Sequence, residues 1–295
     1  MVNRRRIRII RGFLLVGITV CLIRIGQAYL LSTENKAKQD SLREMIEYPF
    51  EEAERDPDAA DTATELISPA HAESKGSPQV EGEHAVMEKY AALYEENRDF
   101  AGWLRIEGTE IDYPVMQRRE DADVMQNQNN AQDEESEYYL NHDFYGEKSR
   151  YGCLYVKGKA DIEKGTNFII YGHNMKDSSM FGSLDLYEEE NFYREHPVIF
   201  FDTLFEERTY EIIAVFPSQV YSVEEDTFKY YQFYQADTKE EFDDFYKNIK
   251  ALSLYDTGAD AEYGDTFLTL STCAYHTEEG RFVVIARRSG AQDGV

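Results

Sequence analysis

The sequence is poor in cysteine, tryptophan, proline and basic residues. Its 295 residues include 3 Cys, 1 Trp and 7 Pro, and 31 Lys and Arg stand against 57 Asp and Glu, for a formal net charge of -26. The spacing of Cys21, Cys153 and Cys273 fits neither a disulfide framework nor a Cys/His metal site. The acidic balance argues against a nucleic-acid partner, because phosphate binding requires clustered lysine and arginine.

Two further absences narrow the class of protein. The sequence has no internal repeat and no glycine-rich loop of the kind that cradles phosphate groups. Aromatic residues are instead abundant, with 22 Tyr and 17 Phe. That composition is typical of a β-rich domain and argues against disorder along the whole chain.

One long apolar run occurs near the N-terminus, at residues 12–31. About 20 such residues suffice for a helix to cross a bilayer. Arginines dominate the segment before it, and positive flanks stay on the cytoplasmic side. We therefore predict that residues 1–32 form a cytoplasmic basic tip and a single-pass transmembrane anchor, with the rest of the chain extracellular. The alternative is a cleaved signal peptide, but the Ala-Tyr-Leu after Gln27 is a poor cleavage site.

Residues 33–82 are predicted to be a flexible acidic stalk. They are polar and charged, and they show little periodicity. Residues 42–47 could form a helical turn or two, which would stop before Pro49.

Residues 83–295 carry the patterns of a folded domain with two amphipathic helices. Apolar residues recur at helical spacing over residues 87–94. Thr238 and Glu241 have the spacing of a capping box, and an apolar stripe over residues 242–249 follows them. That stripe is interpreted as core packing.

Strand-like runs in the same region predict a mainly β fold. Residues 111–115 follow a turn at Gly108, and Pro114 within them suggests an edge strand. Further runs rich in β-branched and aromatic residues are 152–156, 167–171, 198–201, 209–216, 267–272 and 282–286. About eight short strands in roughly 200 residues indicate a closed or nearly closed β-barrel with a few added helices.

Three reactive side chains lie at the ends of these strands. Cys273 follows run 267–272 and Arg281 precedes run 282–286, so pairing of the two strands would bring a thiol and a guanidinium to one rim. A positive charge favours the nucleophilic thiolate, and a guanidinium can bind the oxyanion of acyl transfer. His173 follows run 167–171 and Gly172, at a strand end where a general acid or base is often presented.

These residues also admit simpler interpretations. A single cysteine is often a small buried hydrophobe, and an arginine at the start of a strand is often a solvated edge residue. His276 is a rival to His173, because it lies close to Cys273 in the sequence, although in a polar loop.

Several stretches together resemble class B sortases. They are TLSTC with an arginine eight residues after its cysteine, YGHNM, SMFGSL, YYLNHDF, and GWLRI followed by IDYPV. The resemblance covers roughly residues 83–288. The resemblance implies an eight-stranded sortase-type β-barrel with a long helix before the strand that carries the cysteine. It also implies an exported, membrane-anchored cysteine transpeptidase, or thiol protease, of Gram-positive bacteria.

The resemblance assigns roles to single residues. Cys273 matches the nucleophile, and His173 and Arg281 match the catalytic histidine and arginine. Tyr171 and Ser271 match positions that line the groove for the sorting signal. Some members have an acidic residue directly after the cysteine, where this chain has Ala274, so no acidic third partner is assigned.

The resemblance also implies the substrates and partners. The donor is a secreted protein with a C-terminal sorting signal, which is cleaved after a threonine through a thioester. The acceptor is an amine of a peptidoglycan precursor, and the N-terminal helix holds the enzyme in the membrane. Neither a cofactor nor a metal is expected, because exchange of one amide for another is close to isoenergetic.

Alternatives from two other classes stay open at this point. One is an L,D-transpeptidase or another wall-acting cysteine peptidase, although the Ser-His-Gly run usual before their cysteine is absent. The other is a non-enzymatic, surface-anchored binding module. It fits the anchor and the stalk but leaves the Cys, His and Arg set unexplained.

Overall fold

The computed structural model describes residues 4–46, 85–118, 137–222, 224–273 and 279–290, with side chains from residue 13 onward. The chain divides into two compact units, Met1–Glu44 and Met45–Val295. The first unit is helical, and the second contains a β-barrel.

The N-terminal unit is one α-helix, α1 (Arg4–Glu44), of 41 residues. It extends past residue 31, where the predicted span ends, because residues 32–44 contain neither Pro nor Gly and are mostly good helix formers. Residues 33–44 of the predicted flexible stalk are therefore helical, and the turn predicted at 42–47 overlaps the end of α1. The other stalk residues, 47–82, lie outside the described residues. By length and composition, Phe13–Glu44 is a candidate membrane span, with a mean hydropathy of 1.9 in its most apolar window.

The second unit is built on eight described strands that form a closed barrel. The strands are β1 (Phe100–Arg105), β2 (Asp112–Met116), β3 (Leu154–Val156), β4 (Asn167–Gly172), β5 (Val198–Thr203), β6 (Glu207–Gln219), β7 (Phe267–Cys273) and β8 (Gly280–Arg288). Their order around the barrel is β1-β2-β3-β4-β7-β8-β6-β5, and β5 pairs with β1 to close it. The pairs β2–β3 and β4–β7 are parallel, and the other neighbours are antiparallel. The predicted eight-stranded barrel is confirmed.

Two details of the strands differ from the prediction. Strand β1 has no counterpart among the predicted runs, because its first five residues are all buried and show no alternation. The edge position predicted for Pro114 is wrong, since β2 has a neighbour on each side of the closed barrel. However, Pro114 pairs only with Trp103 of β1, because β3 joins β2 from Val115 onward. The missing N–H of the proline thus falls where β2 has no partner in β3.

The described part of the second unit also contains three α-helices: α2 (Glu88–Glu96), α3 (Glu190–Glu195) and α4 (Lys239–Leu252). Helices α2 and α4 confirm the two predicted amphipathic helices. Short 3₁₀ helices occupy Tyr138–Leu140, Leu184–Glu188 and Tyr230–Gln232. The main core holds fully buried strand residues such as Leu104, Val115, Ile170 and Leu270. A second apolar cluster joins α4 to strands β6, β7 and β8.

Helix α4 begins with the predicted capping box. The Thr238 hydroxyl accepts a hydrogen bond from the Glu241 N–H, and the Glu241 carboxylate accepts one from the Thr238 N–H at 3.1 Å. Phe242 and Phe245 are buried, and the ring of Phe245 lies 5.5 Å from that of Phe267 at the start of β7. The apolar stripe is therefore core packing, as predicted.

Candidate active site

Three neighbouring strands bring the predicted catalytic residues to one rim of the barrel. The parallel register of β4 and β7 places Gly172 beside Thr272, so His173 leaves β4 at the level where Cys273 ends β7. The antiparallel register of β7 and β8 places Cys273 opposite Arg281. The strand order β4-β7-β8 thus gathers positions that are far apart in the sequence.

The imidazole of His173 is half-buried and oriented by the main chain. Its Nε2 lies 2.8 Å from the carbonyl oxygen of Leu140. A carbonyl can only accept, so Nε2 carries the proton and the neutral ring has Nδ1 as its acceptor. Burial lowers the pKa of His173, because it disfavours the charged form, and the bond to Leu140 acts in the opposite direction.

The guanidinium of Arg281 lies at the start of β8 and is held mainly by the main chain. Its Nη1 donates to the carbonyl oxygens of Gly280, at 2.9 Å, and Glu279, at 3.3 Å. Its Nη2 is 3.7 Å from the Glu279 carboxylate, and 23% of the side chain is exposed. These partners leave the guanidinium able to bind a further negative oxygen.

The two cysteines of the barrel unit have opposite environments. Cys273 is exposed at the rim, whereas Cys153 is buried. Burial raises the pKa of the Cys153 thiol, so that cysteine stays protonated and unreactive, as expected for a packing residue. A reactive cysteine needs access to its substrate, and Cys273 has it.

Two tyrosines that the sequence analysis missed lie next to this rim. Burial raises the pKa of Tyr155 and of Tyr230 most strongly, while Arg281 lowers both pKa values and Cys273 raises them. Both phenols are therefore within electrostatic reach of the thiol and the guanidinium. The aromatic run at residues 228–234 is a signal that could have pointed to Tyr230.

Tyr171 and Ser271, the predicted groove residues, lie side by side on β4 and β7. The ring of Tyr171 stacks on Tyr155 at 5.6 Å between centroids. The Ser271 hydroxyl is only 2.7 Å from the hydroxyl of Tyr230, and Ser271 is 1% exposed. Ser271 is thus buried against Tyr230, and the groove role of Tyr171 and Ser271 stays a prediction.

The rival His276 and the departure at Ala274 lie outside the described residues. His142 stacks on Tyr138 at 3.8 Å, and His196 packs against Phe192 at 4.6 Å, which are packing contacts. Within the described part of the chain, no group of three or more His, Cys, Asp or Glu side chains is arranged to hold a metal ion.

Comparison with known proteins finds one family. A family model described as a sortase domain matches residues 104–289. The Sortase B of Listeria monocytogenes serovar 1/2a is 31% identical over 206 residues, which cover 68% of this chain and 73% of that protein.

Solved structures agree in architecture. The crystal structure of sortase B from B. anthracis in complex with AAEK1 has a TM-score of 0.62 at 27% identity and covers 88% of this chain and 98% of that chain. A Staphylococcus aureus sortase B–substrate complex has a TM-score of 0.58 at 25% identity and covers 70% of this chain and 87% of that chain. The similarity therefore includes both the sequence and the barrel architecture.

Proposed function

The chain belongs to the sortase family, in class B, and from that membership we propose that it is a membrane-anchored cysteine transpeptidase that attaches secreted proteins to the cell wall. Its donor substrate is a protein with a C-terminal sorting signal that contains a threonine. Its acceptor is an amine of a peptidoglycan precursor. The observation that supports the proposal best is the register of β4, β7 and β8, which places a histidine, an exposed thiol and a guanidinium at one rim.

The first half-reaction forms a thioester. The Cys273 thiolate attacks the carbonyl carbon of the threonine, and the carbonyl oxygen becomes an oxyanion near the Arg281 guanidinium. The C–N bond then breaks, and protonated His173 gives its proton to the departing amine. The threonine carbonyl is left bonded to the sulfur, and the C-terminal part of the signal leaves.

The second half-reaction transfers the acyl group. The acceptor amine attacks the thioester carbonyl, and neutral His173 takes the proton that the amine loses. The C–S bond breaks, a new amide forms, and the Cys273 thiolate returns. The cycle exchanges one amide for another, so the residues of this rim can complete it without an added energy source.

The localisation is part of the proposal. We place residues 1–32 in the cytoplasm and membrane, residues 33–82 as the spacer, and residues 83–295 as an extracellular catalytic domain. The candidate span in α1 and the arginines before it support this orientation. Continuation of α1 to Glu44 makes the first part of the spacer a rigid extension of the anchor.

A thioester trap tests the function. The full chain in detergent is incubated with peptides that carry different sorting signals, without an acceptor amine, and the acylated protein is measured by mass spectrometry. We expect one adduct, absent in Cys273→Ala, nearly absent in His173→Ala and retained in His276→Ala. Unimpaired acylation of His173→Ala would contradict the assignment of the histidine. If no peptide of the panel acylates Cys273, the transpeptidase proposal fails.

A further inference from the structure

We propose that Gly152 is a positioning residue for His173, because it admits the Leu140 carbonyl that orients the imidazole and so leaves Nδ1 as the nitrogen that transfers the proton. The chemical role rests on the proposed function of the rim. The orientation of the imidazole rests on contacts of Leu140 and Gly152, which are not among the three predicted catalytic residues.

The first contact is the hydrogen bond between His173 and Leu140. Nε2 donates to the Leu140 oxygen at 2.8 Å, and among the described residues Nδ1 has no hydrogen-bond partner. The main chain of His173 is also fixed, since its carbonyl accepts from the Phe181 N–H at 2.9 Å. His173 is thus held at its ring and at its main chain. Nδ1, which the Leu140 carbonyl does not engage, is the nitrogen left for the substrate amine.

The second contact explains why the carbonyl can lie there. Gly152 has a φ of +60°, in the left-handed region that favours glycine. A Cβ built on it would lie 2.3 Å from the Leu140 oxygen and 2.6 Å from the Tyr139 oxygen. Both atoms belong to the main chain, so no side chain could turn aside to make room. Any other residue at 152 would push the Leu140 carbonyl, which is the acceptor for His173.

Neighbouring hydrogen bonds prevent the whole turn from moving together with the Leu140 carbonyl. The Cys153 N–H donates to the Tyr139 oxygen at 2.8 Å, and the Ser149 N–H donates to the Asn141 oxygen at 2.9 Å. The Tyr139 hydroxyl donates to the Asp99 carboxylate at 2.9 Å. The turn that carries Leu140 is therefore anchored on both sides of the carbonyl, and a Cβ at 152 would strain the bond to His173 as well as the Cys153–Tyr139 bond.

The chain offers a matched control for the backbone strain. Gly258 has a φ of +70°, close to that of Gly152, and a Cβ built on it meets no atom within 4 Å. Gly258→Ala therefore carries the left-handed strain of an alanine without the steric contact. The difference between Gly152→Ala and Gly258→Ala isolates the effect on the carbonyl.

The experiment uses the full chain in detergent with ¹⁵N-labelled histidine, and His173→Gln assigns the signal. We expect neutral His173 in the wild type to be protonated at Nε2. In Gly152→Ala the signal should shift toward a mixture of the two tautomers, and the pKa of His173 should fall, since the carbonyl bond opposes the effect of burial. Gly258→Ala should keep the wild-type spectrum.

The thioester assay supplies the second readout. Gly152→Ala should have a maximal acylation rate lower by about 100-fold and an unchanged half-saturating peptide concentration, because a displacement of about 1 Å suffices for such a loss. The pH dependence of its acylation rate should shift to lower pH together with the pKa of His173. Gly258→Ala should keep the wild-type rate and pH dependence. If Gly152→Ala does not fold, Gly152→Asn replaces it, since asparagine tolerates a positive φ but still carries a Cβ.

Two outcomes would overturn the proposal. One is a neutral His173 protonated at Nδ1 in the wild type. The other is a folded Gly152 variant with the wild-type tautomer, pH profile and acylation rate. A wild-type chain that does not acylate any peptide, but shows the Nε2–H tautomer, would refute the transpeptidase function and leave the positioning intact.

Discussion

At the scale of single residues, the charge of Arg281 should matter for catalysis and not for the stability of the fold. The guanidinium of Arg281 touches main-chain oxygens and one exposed carboxylate, so its loss leaves no buried group without a partner. Arg281→Ala should lower the acylation rate by about 100- to 1000-fold, the usual cost of losing an oxyanion donor. The free energy of unfolding should change by less than about 0.5 kcal/mol.

Two variants serve as controls for Arg281→Ala in the peptide assay. Arg281→Lys keeps the charge but not the fork of donors, so it should recover only part of the rate. Arg287 lies on the same strand toward the other rim and pairs with Glu211 at 2.9 Å. Arg287→Ala should therefore keep the wild-type acylation rate. Near wild-type acylation by Arg281→Ala would mean that the oxyanion is bound elsewhere.

The histidine gives a prediction about pH. Burial lowers the pKa of His173 below the ordinary value of 6.5, so the unfolded chain binds this proton more readily than the folded one. Above that value both states are neutral at this site, so the residue adds no pH dependence to the stability. As the pH falls through 6.5, the stability contributed by a neutral His173 is lost, until the folded state is protonated too.

The measurement compares urea unfolding of the wild type and His173→Gln between about pH 8 and about pH 5. The wild type should lose stability relative to the variant as the pH falls. A difference that does not vary with pH, or an NMR titration of His173 above 6.5, would contradict the burial effect.

At the scale of elements, helix α4 can be weakened without altering the rim. Thr238→Ala removes the cap oxygen, and the free energy of unfolding should fall by about 1 kcal/mol. Helix α4 packs on Phe267, where β7 begins, and Cys273 lies at the other end of that strand. The acylation rate per folded molecule should therefore stay at the wild-type value.

Chemical denaturation and the peptide assay on the same samples check this prediction. Thr238→Ser keeps the hydroxyl and should restore most of the stability. A rate that falls in proportion to stability would show that the helix influences the catalytic rim.

At the scale of the whole molecule, the anchor and the catalytic unit should be separable. Residues 83–295 retain α2, and the Met87 N–H at its start donates to the Leu204 oxygen at 2.8 Å. A chain of residues 83–295 should therefore be soluble and cleave the peptide as the full chain does. The full chain should sediment with membranes, because the large apolar side chains of residues 13–31 in α1 are exposed.

Fractionation of expressing cells checks the anchor. Leu22→Lys combined with Ile25→Lys should release the full chain from the membrane fraction, since each lysine in a spanning helix costs about 3 kcal/mol. A double variant that stays in the membrane, or an insoluble chain of residues 83–295, would argue against the proposed boundaries.

Most helices and strands could be predicted from local sequence, because the pattern of neighbouring residues determines which secondary structure they favour. Seven of the eight strands, the capping box at Thr238 and the apolar run of α1 follow from alternation, spacing and composition. Strand β1 escaped because burial on both faces removes the alternation. Helix α1 ran longer than its apolar segment because helix formers without Pro or Gly continue it.

The candidate site could be predicted only in part from the sequence. Cys273 and Arg281 could be paired from one hairpin, and His173 was predicted from its place at a strand end and from the family resemblance. The parallel contact between β4 and β7 that brings His173 to them has no local signal. Tyr155 and Tyr230 were not predicted from the sequence, although the aromatic run at residues 228–234 contains Tyr230.

The sequence by itself determined the type of each element, the residues able to do the chemistry and the family. Only the tertiary structure decided that β7 lies between β4 and β8, that the Tyr230 hydroxyl contacts the Ser271 hydroxyl, and that the Leu140 carbonyl engages the imidazole. The physical reason is distance along the chain. Which strand lies beside which, and which main-chain atom meets which ring, depends on contacts between distant segments that form only when the barrel closes.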